Sequence, residues 1–331
     1  MILDTILFIV YYRTASVTTA LKSIKTAAAR RAAVLLRLRQ RTRGMLFEIV
    51  ERAYYLEQEG FDRKAAVEQL VSEFRIKLEE ELRRARTIFN FVVMSAAMVI
   101  MMGILLGVIL GILSPLASQY ATALVMLLLF PLYVLEPFLP PIRKWDYWLA
   151  ALFATPAVAA YFAPQAAYAT VPAALIYAAW YYVPRYAEAQ EEFRMAARGR
   201  VAFASTPLAK QAVEITKAVR QSGAFDIQAV AEYLLRLAEH HYTSLRREGL
   251  MRGLIIISFV VVAAFAVSWL WPQLSALAEQ AEGGPFPLYF SSPKPMLWLV
   301  SLAAAAAAAR MTESYAAVPL YTPITLTLLL A

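Results

Sequence analysis

The chain contains no cysteine. That excludes disulfides, thiolate metal sites and cysteine nucleophiles, and leaves the compartment open. Histidine is nearly absent too: the only two, His240 and His241, are neighbours. On a helix, adjacent residues point about 100° apart, so they make a poor metal pair and read as surface residues. There is no phosphate-binding glycine loop with its lysine, no Gly-x-Ser-x-Gly and no His-Glu-x-x-His. Carboxylates are missing from the centres of the apolar runs, where a charge usually marks a transport path. These gaps disfavour an enzyme, an ion-coupled transporter and any cofactor or metal site.

Apolar sequence is abundant. Of 331 residues 60% are hydrophobic and mean hydropathy is +0.54, against about 45–50% apolar in a typical soluble domain. The excess collects in runs long enough to predict membrane spans. These are Ile88–Leu113, about Tyr120–Phe138, Tyr147–Ala163, Thr170–Val183, Gly253–Trp271 and Met296–Ala309, with a seventh, weaker run at Ala316–Ala331 holding Pro319 and Pro323. The opening stretch MILDTILFIVYYR has no basic n-region and no cleavage site, so it reads as a buried or interfacial segment rather than a signal peptide.

Charge predicts orientation. If residues up to Thr87 are inside, so are Arg143, Lys144, the Arg185–Arg252 segment and Arg310, and only Lys294 among the 32 basic residues falls outside. The expectation is a multi-pass cell-membrane protein with a cytoplasmic N-terminus and no nucleic-acid partner. Residues 1–87 form a first cytoplasmic helical domain, with repeat helices at 44–87. Residues 88–184 supply four spans and 185–252 a second cytoplasmic domain. Residues 253–331 supply two to three spans around an external loop at 272–295. Residues 14–43 are basic and alanine-rich, fitting anionic lipid head groups, an acidic partner or a simple positive-inside flank.

The chain also repeats itself. An offset of 164 carries Phe61, Asp62, Ala65, Glu68 and Leu70 onto Phe225, Asp226, Ala229, Glu232 and Leu234. It carries Val67, Leu70, Val71, Phe74 and Leu78 onto Ala231, Leu234, Leu235, Ala238 and Tyr242, at the i, i+3, i+4, i+7 spacing of one helix face. Each copy predicts a short helix, a turn and a long helix that starts in water and ends in the bilayer. Gly60 and Gly223 stop the short helices and Asp62 and Asp226 cap the long ones; Thr206-Pro207 opens the second short helix. The fold class is therefore all-α and polytopic, with about six to seven spans and two repeated cytoplasmic hairpins.

Three groups of residues stand out. Gly103, Gly107 and Gly111 recur every four residues, a spacing that lets helices approach closely; this fits either a homodimer seam or a contact within one chain, and Gly249 and Gly253 repeat it. Glu79, Glu80 and Glu81 precede Arg83, Arg84 and Arg86 at ion-pair spacing on a solvated helix. Arg75, Arg83 and Arg84 in the first copy and Arg236, Arg246 and Arg247 in the second carry positive charge, with Arg83 falling on Arg247. Arginine can pair bidentately with a partner's carboxylates; the same residues can simply serve the positive-inside rule.

The stretch SGAFDIQAVAEYLLRLAEHHYTSLRREGLMRG, Ser222 to Gly253, and its first copy resemble the type II secretion system F family, in particular its archaeal branch, the J-type platform proteins of archaella and archaeal pili. Arg310-Met311-Thr312-Glu313-Ser314 resembles the family's Gly-Lys-x-x-Glu-Gly-Ser-like inner loop, with Ala and Thr in place of the glycines. The resemblance covers about 44–113 and 205–331. It implies a non-enzymatic membrane platform of a type IV filament assembly machine, partnered by a cytoplasmic hexameric assembly ATPase, pilin-like subunits and membrane lipid. A polytopic small-solute transporter or channel is the alternative; both copies run the same way into the membrane, unlike the inverted repeats frequent in transporters.

Overall fold

The computed structural model describes residues 2–38, 44–113, 145–160, 162–222, 225–280, 294–312 and 315–326. Every regular element among them is helical. In chain order the α-helices are α1 Ile2–Tyr12, α2 Val17–Ser23, α3 Ala27–Leu38, α4 Met45–Gln58, α5 Arg63–Leu113 and α6 Tyr147–Ala159. Then follow α7 Thr170–Tyr177, α8 Val183–Ala197, α9 Pro207–Ser222, α10 Phe225–Gln280, α11 Lys294–Thr312 and α12 Val318–Leu326. The expected all-α class holds.

The duplication is visible in the helix bounds. Shifted by 164, α4 and α5 would cover 209–222 and 227–277, close to α9 at 207–222 and α10 at 225–280. Four pairs from the predicted stripe are buried in both copies: Val67 and Ala231, Leu70 and Leu234, Phe74 and Ala238, Leu78 and Tyr242.

The chain divides into two compact units. The first comprises Met1–Arg84, Ile142–Lys144 and Tyr186–Leu245. The segments expected to form separate cytoplasmic domains therefore share one core here, and α1 lies inside it. Every residue of α1 except Tyr11 is buried, and α1 packs on α9, α4 and α2. Apart from Asp4 and Thr5 the helix is apolar, and such a helix needs cover on all sides; the two short repeat helices supply much of it. Phe8 stacks on Tyr12, whose hydroxyl donates to the Ala53 carbonyl at 3.2 Å. Two ion pairs set α4 against α5 in antiparallel register: Glu48 with Lys77 at 2.8 Å and Arg52 with Glu73 at 4.0 Å.

The turn between α4 and α5 is the expected glycine stop. Gly60 has φ 75°, its N–H reaches the Glu57 carbonyl, and the Phe61 N–H reaches the Leu56 carbonyl, the two bonds of a Schellman motif. Asp62 then caps α5, accepting from the Lys64 N–H at 3.1 Å. The second copy differs. Gly223 lies outside the described residues, and α10 begins at Phe225, which places Asp226 within its first turn instead of at the cap.

The second unit comprises Ala85–Pro141, Trp145–Arg185 and Arg246–Ala331. Within it α12 packs against α11, α7 and α6. Among the described residues one helix, within Ile227–Gln273, is long and apolar enough to cross a membrane. The run Tyr147–Ala163 yields a helix of 13 residues, about 20 Å at 1.5 Å per residue, short of a ~30 Å hydrocarbon core. Between α7 and α8 the chain stays helical through a π turn, Ala178–Tyr182. The run Tyr120–Phe138 and the end of the seventh run lie outside the described residues. One boundary needs correction: α10 continues through Pro272 to Gln280, so the start of the expected external loop 272–295 is helical. An interior proline removes a single backbone donor, which membrane helices tolerate.

Candidate functional site

Ion pairing organises the stretch where α5 and α10 run side by side in the second unit. Arg86 donates to Glu248 at 2.9 Å, Arg252 donates to Asn90 Oδ1 at 2.9 Å, and Arg252 also pairs with Glu248 at 3.3 Å. Stepping four residues along α5, from Arg86 to Asn90, steps four along α10, from Glu248 to Arg252, so the helices are parallel. The pairing offset is 162, two residues short of the sequence repeat. The solvated pairing expected for Arg86 with its own helix is thus replaced by a link to α10. One residue past Arg252, Gly253 lets α11 come close: a Cβ there would lie 3.2 Å from the Ala308 carbonyl oxygen. This is an intrachain contact. Gly103, Gly107 and Gly111 lie on α5, and their surroundings are outside the described residues.

The six arginines expected to meet a partner are not brought to one face. Arg75, Arg83, Arg84, Arg236 and Arg247 are exposed, whereas Arg246 is half-buried with Nε and Nη2 shielded from solvent. At about 100° per residue, Arg75 and Arg84 point to opposite sides of α5, while Arg236 and Arg247 share a side of α10. Arg75 pairs with Glu79 at 3.3 Å along its own helix. Arg236 has no ion pair among the described residues.

The histidines separate. His240 is exposed, but His241 is 5% exposed, which corrects the expectation of two surface residues: position 241 falls on the buried side of α10, with Leu234, Leu235, Ala238 and Tyr242. Burial, and then the neighbouring His240, push its pKa down to about 4. No cluster of potential metal ligands occurs among the described residues.

Two features were not anticipated. Gly199, φ 67°, ends α8 in a second Schellman motif, with Arg200 N–H on the Met195 carbonyl and Gly199 N–H on that of Ala196. Glu192 then gathers the loop before α9, accepting from the Ser205 N–H and hydroxyl and from the Thr206 N–H. Its carboxyl is held below its ordinary range although burial opposes this, because those donors together favour the anion. The glycine after an Ala-Ala-Arg helix end was the available signal. The second is an aromatic group at the start of α6. Trp145 stacks on Tyr182 at 4.9 Å, Tyr181 donates to Asp146 Oδ2 at 3.0 Å, and Arg185 lies 5.6 Å from the Tyr181 ring centre. The π turn brings Tyr181 and Tyr182 to this group, and nothing in the local sequence signals a π turn.

Compared with protein-family models, with curated proteins and with solved structures, the chain gives no match in any of the three.

Proposed function

We propose that this chain is a multi-pass membrane protein with six to seven spans and a cytoplasmic N-terminus, acting as the platform of a type IV filament assembly machine. In this reading a cytoplasmic hexameric ATPase docks on the first unit, and the platform helps lift pilin-like subunits out of the membrane. The observation that carries it is the duplicated element: a short helix, a sharp turn and a helix of 51 or 56 residues whose apolar half follows a polar half. The near-exclusive placement of Lys and Arg on one side of the predicted spans supports the orientation. Bulky apolar side chains left outward in the second unit, among them Phe91, Met98, Trp180, Phe265 and Trp269, fit a lipid surround.

The proposed contact is electrostatic, and Arg236 is its best single probe. It is exposed on the polar half of α10, 17 residues or roughly 26 Å before Gly253, too far for head-group contact if the helix stands upright. Copurification from detergent extracts tests the reading: a secretion-type ATPase should accompany the native protein. Arg236→Glu should keep insertion and expression, lose the ATPase and abolish filaments. Normal ATPase retention and normal filaments in that variant would refute docking through this face, and no associated ATPase with the native chain would refute the platform role.

A further inference from the structure

The exposed side of α3 carries an arrangement that neither the hairpins nor the arginines of α5 and α10 use. Ala29 and Ala32 are buried against the first unit's core, with Ala28, Ala33, Leu35 and Leu36 packed partly behind them. Counting 100° per residue from Arg30, the outward positions are Arg37 at about −20°, Arg30 at 0°, Val34 at about 40°, Leu38 at about 80° and Arg31 at about 100°. Val34 and Leu38 are 54% and 60% exposed, and all three arginines are exposed. One face of about 120° thus presents two unpacked aliphatic side chains framed by three guanidinium groups. Arg31 and Arg37 have no ion pair among the described residues.

The surrounding sequence sharpens the charge. Between Asp4 and Glu48 there are nine Lys and Arg and no Asp or Glu. Position along the hairpin supplies the rest. The pairs Glu48 with Lys77 and Arg52 with Glu73 fix a register that sets Gly44, just before α4, opposite Glu81. In sequence, Ile88, where the predicted apolar run begins, follows Glu81 by seven residues. The C-terminal end of α3 is only six residues before Gly44, and α3 packs on α4.

We propose that the outer face of α3 docks on the anionic phosphodiester surface of the cytoplasmic leaflet, with Val34 and Leu38 inserted at head-group depth and Arg30, Arg31 and Arg37 on lipid phosphates. This rests on the membrane reading above. An apolar pair inside a cationic rim is the pattern of an interfacial helix, and guanidinium stems can bury while their heads stay on phosphate. An acidic protein surface would satisfy the arginines but would not call for unpacked aliphatics between them.

The absence of cysteine gives a clean test with the full chain. Val34→Cys and, as control, Ser72→Cys are each labelled with bimane and reconstituted into nanodiscs holding a head-group nitroxide lipid. The Val34 label should be quenched in discs rich in phosphatidylglycerol. Quenching should fall about threefold or more in phosphatidylcholine discs and in an Arg30→Glu, Arg31→Glu, Arg37→Glu background. Ser72, exposed on α5 about 24 Å before Ile88, should stay unquenched throughout. A chain that inserts into discs but leaves the Val34 label unquenched in both lipids overturns the proposal alone. So does a Val34 label shielded from aqueous iodide only when an acidic soluble protein is added. Failure to enter the discs overturns the membrane reading and this proposal together.

Discussion

Single residues in the first unit carry stability that depends on pH. His241 is buried and its pKa is depressed to about 4 from the ordinary 6.5. Between those values the unfolded chain binds more protons than the folded one, so stability rises with pH across that window. The contribution is complete above 6.5 and is lost as pH falls toward 4. A shift of that size corresponds to roughly 3 kcal/mol. Denaturation midpoints taken at pH 4.5 and 7 should differ for the native chain, and the difference should shrink in His241→Leu; an equal pH response in both would show that the imidazole titrates normally. Gly60 illustrates a backbone constraint with no steric crowding. Nothing would lie within 4 Å of a Cβ there, yet φ is 75°. Gly60→Val should cost about 1–2 kcal/mol through the left-handed conformation alone, read as a lower thermal midpoint with an unchanged helical spectrum.

At the scale of the element, the parallel pair α5 and α10 is fastened by Arg86, Glu248, Arg252 and Asn90. Arg252→Glu removes the charge-assisted hydrogen bond to Asn90 and the ion pair with Glu248, and sets a second carboxylate against Glu248. The expected loss is roughly 2–4 kcal/mol, seen as poorer yield and a lower melting temperature in detergent. Adding Glu248→Arg should recover part of it, and an Arg252→Glu protein of native stability would mean the cluster is ornamental. At Gly253, a leucine has no room beside the Ala308 carbonyl, so Gly253→Leu should destabilise by about 1–3 kcal/mol without changing the size of the particle.

These elements also show what a single sequence conveys. The duplication and the Gly60-Asp62 turn were legible because periodic apolar stripes and caps are local and repeat at a fixed offset. The burial of His241 was half-legible: it sits next to Tyr242 on the same stripe, but its polarity argued for the surface. The Arg86–Glu248 link was not legible, since it depends on how far one long helix slides past its copy, and the stagger of 162 is not the repeat of 164. Nor does a largely apolar segment such as α1 state what will cover it. The close approach at Gly253 was foreshadowed by its spacing from Gly249, though not its partner on α11.

For the whole molecule, the orientation can be read chemically because the natural chain has no thiol. Ser72→Cys, exposed on the polar half of α5, should react with an impermeant maleimide only after lysis, and Ser291→Cys should react on intact cells. The opposite pattern would reverse the topology. A chain in which both react only after lysis would fit a different count of spans.

The burial of α1 has a consequence in time. It is synthesised about 200 residues before α9, one of the helices it packs against. At about 5–20 residues per second, some 10–40 s pass before that partner exists. During that interval the nascent chain presents a helix, apolar but for Asp4 and Thr5, whose α9-facing side is uncovered, so a holdase or the membrane surface must shelter it. Ribosome-bound chains halted before Pro207 should lose α1 to added protease, whereas chains released at full length should keep it.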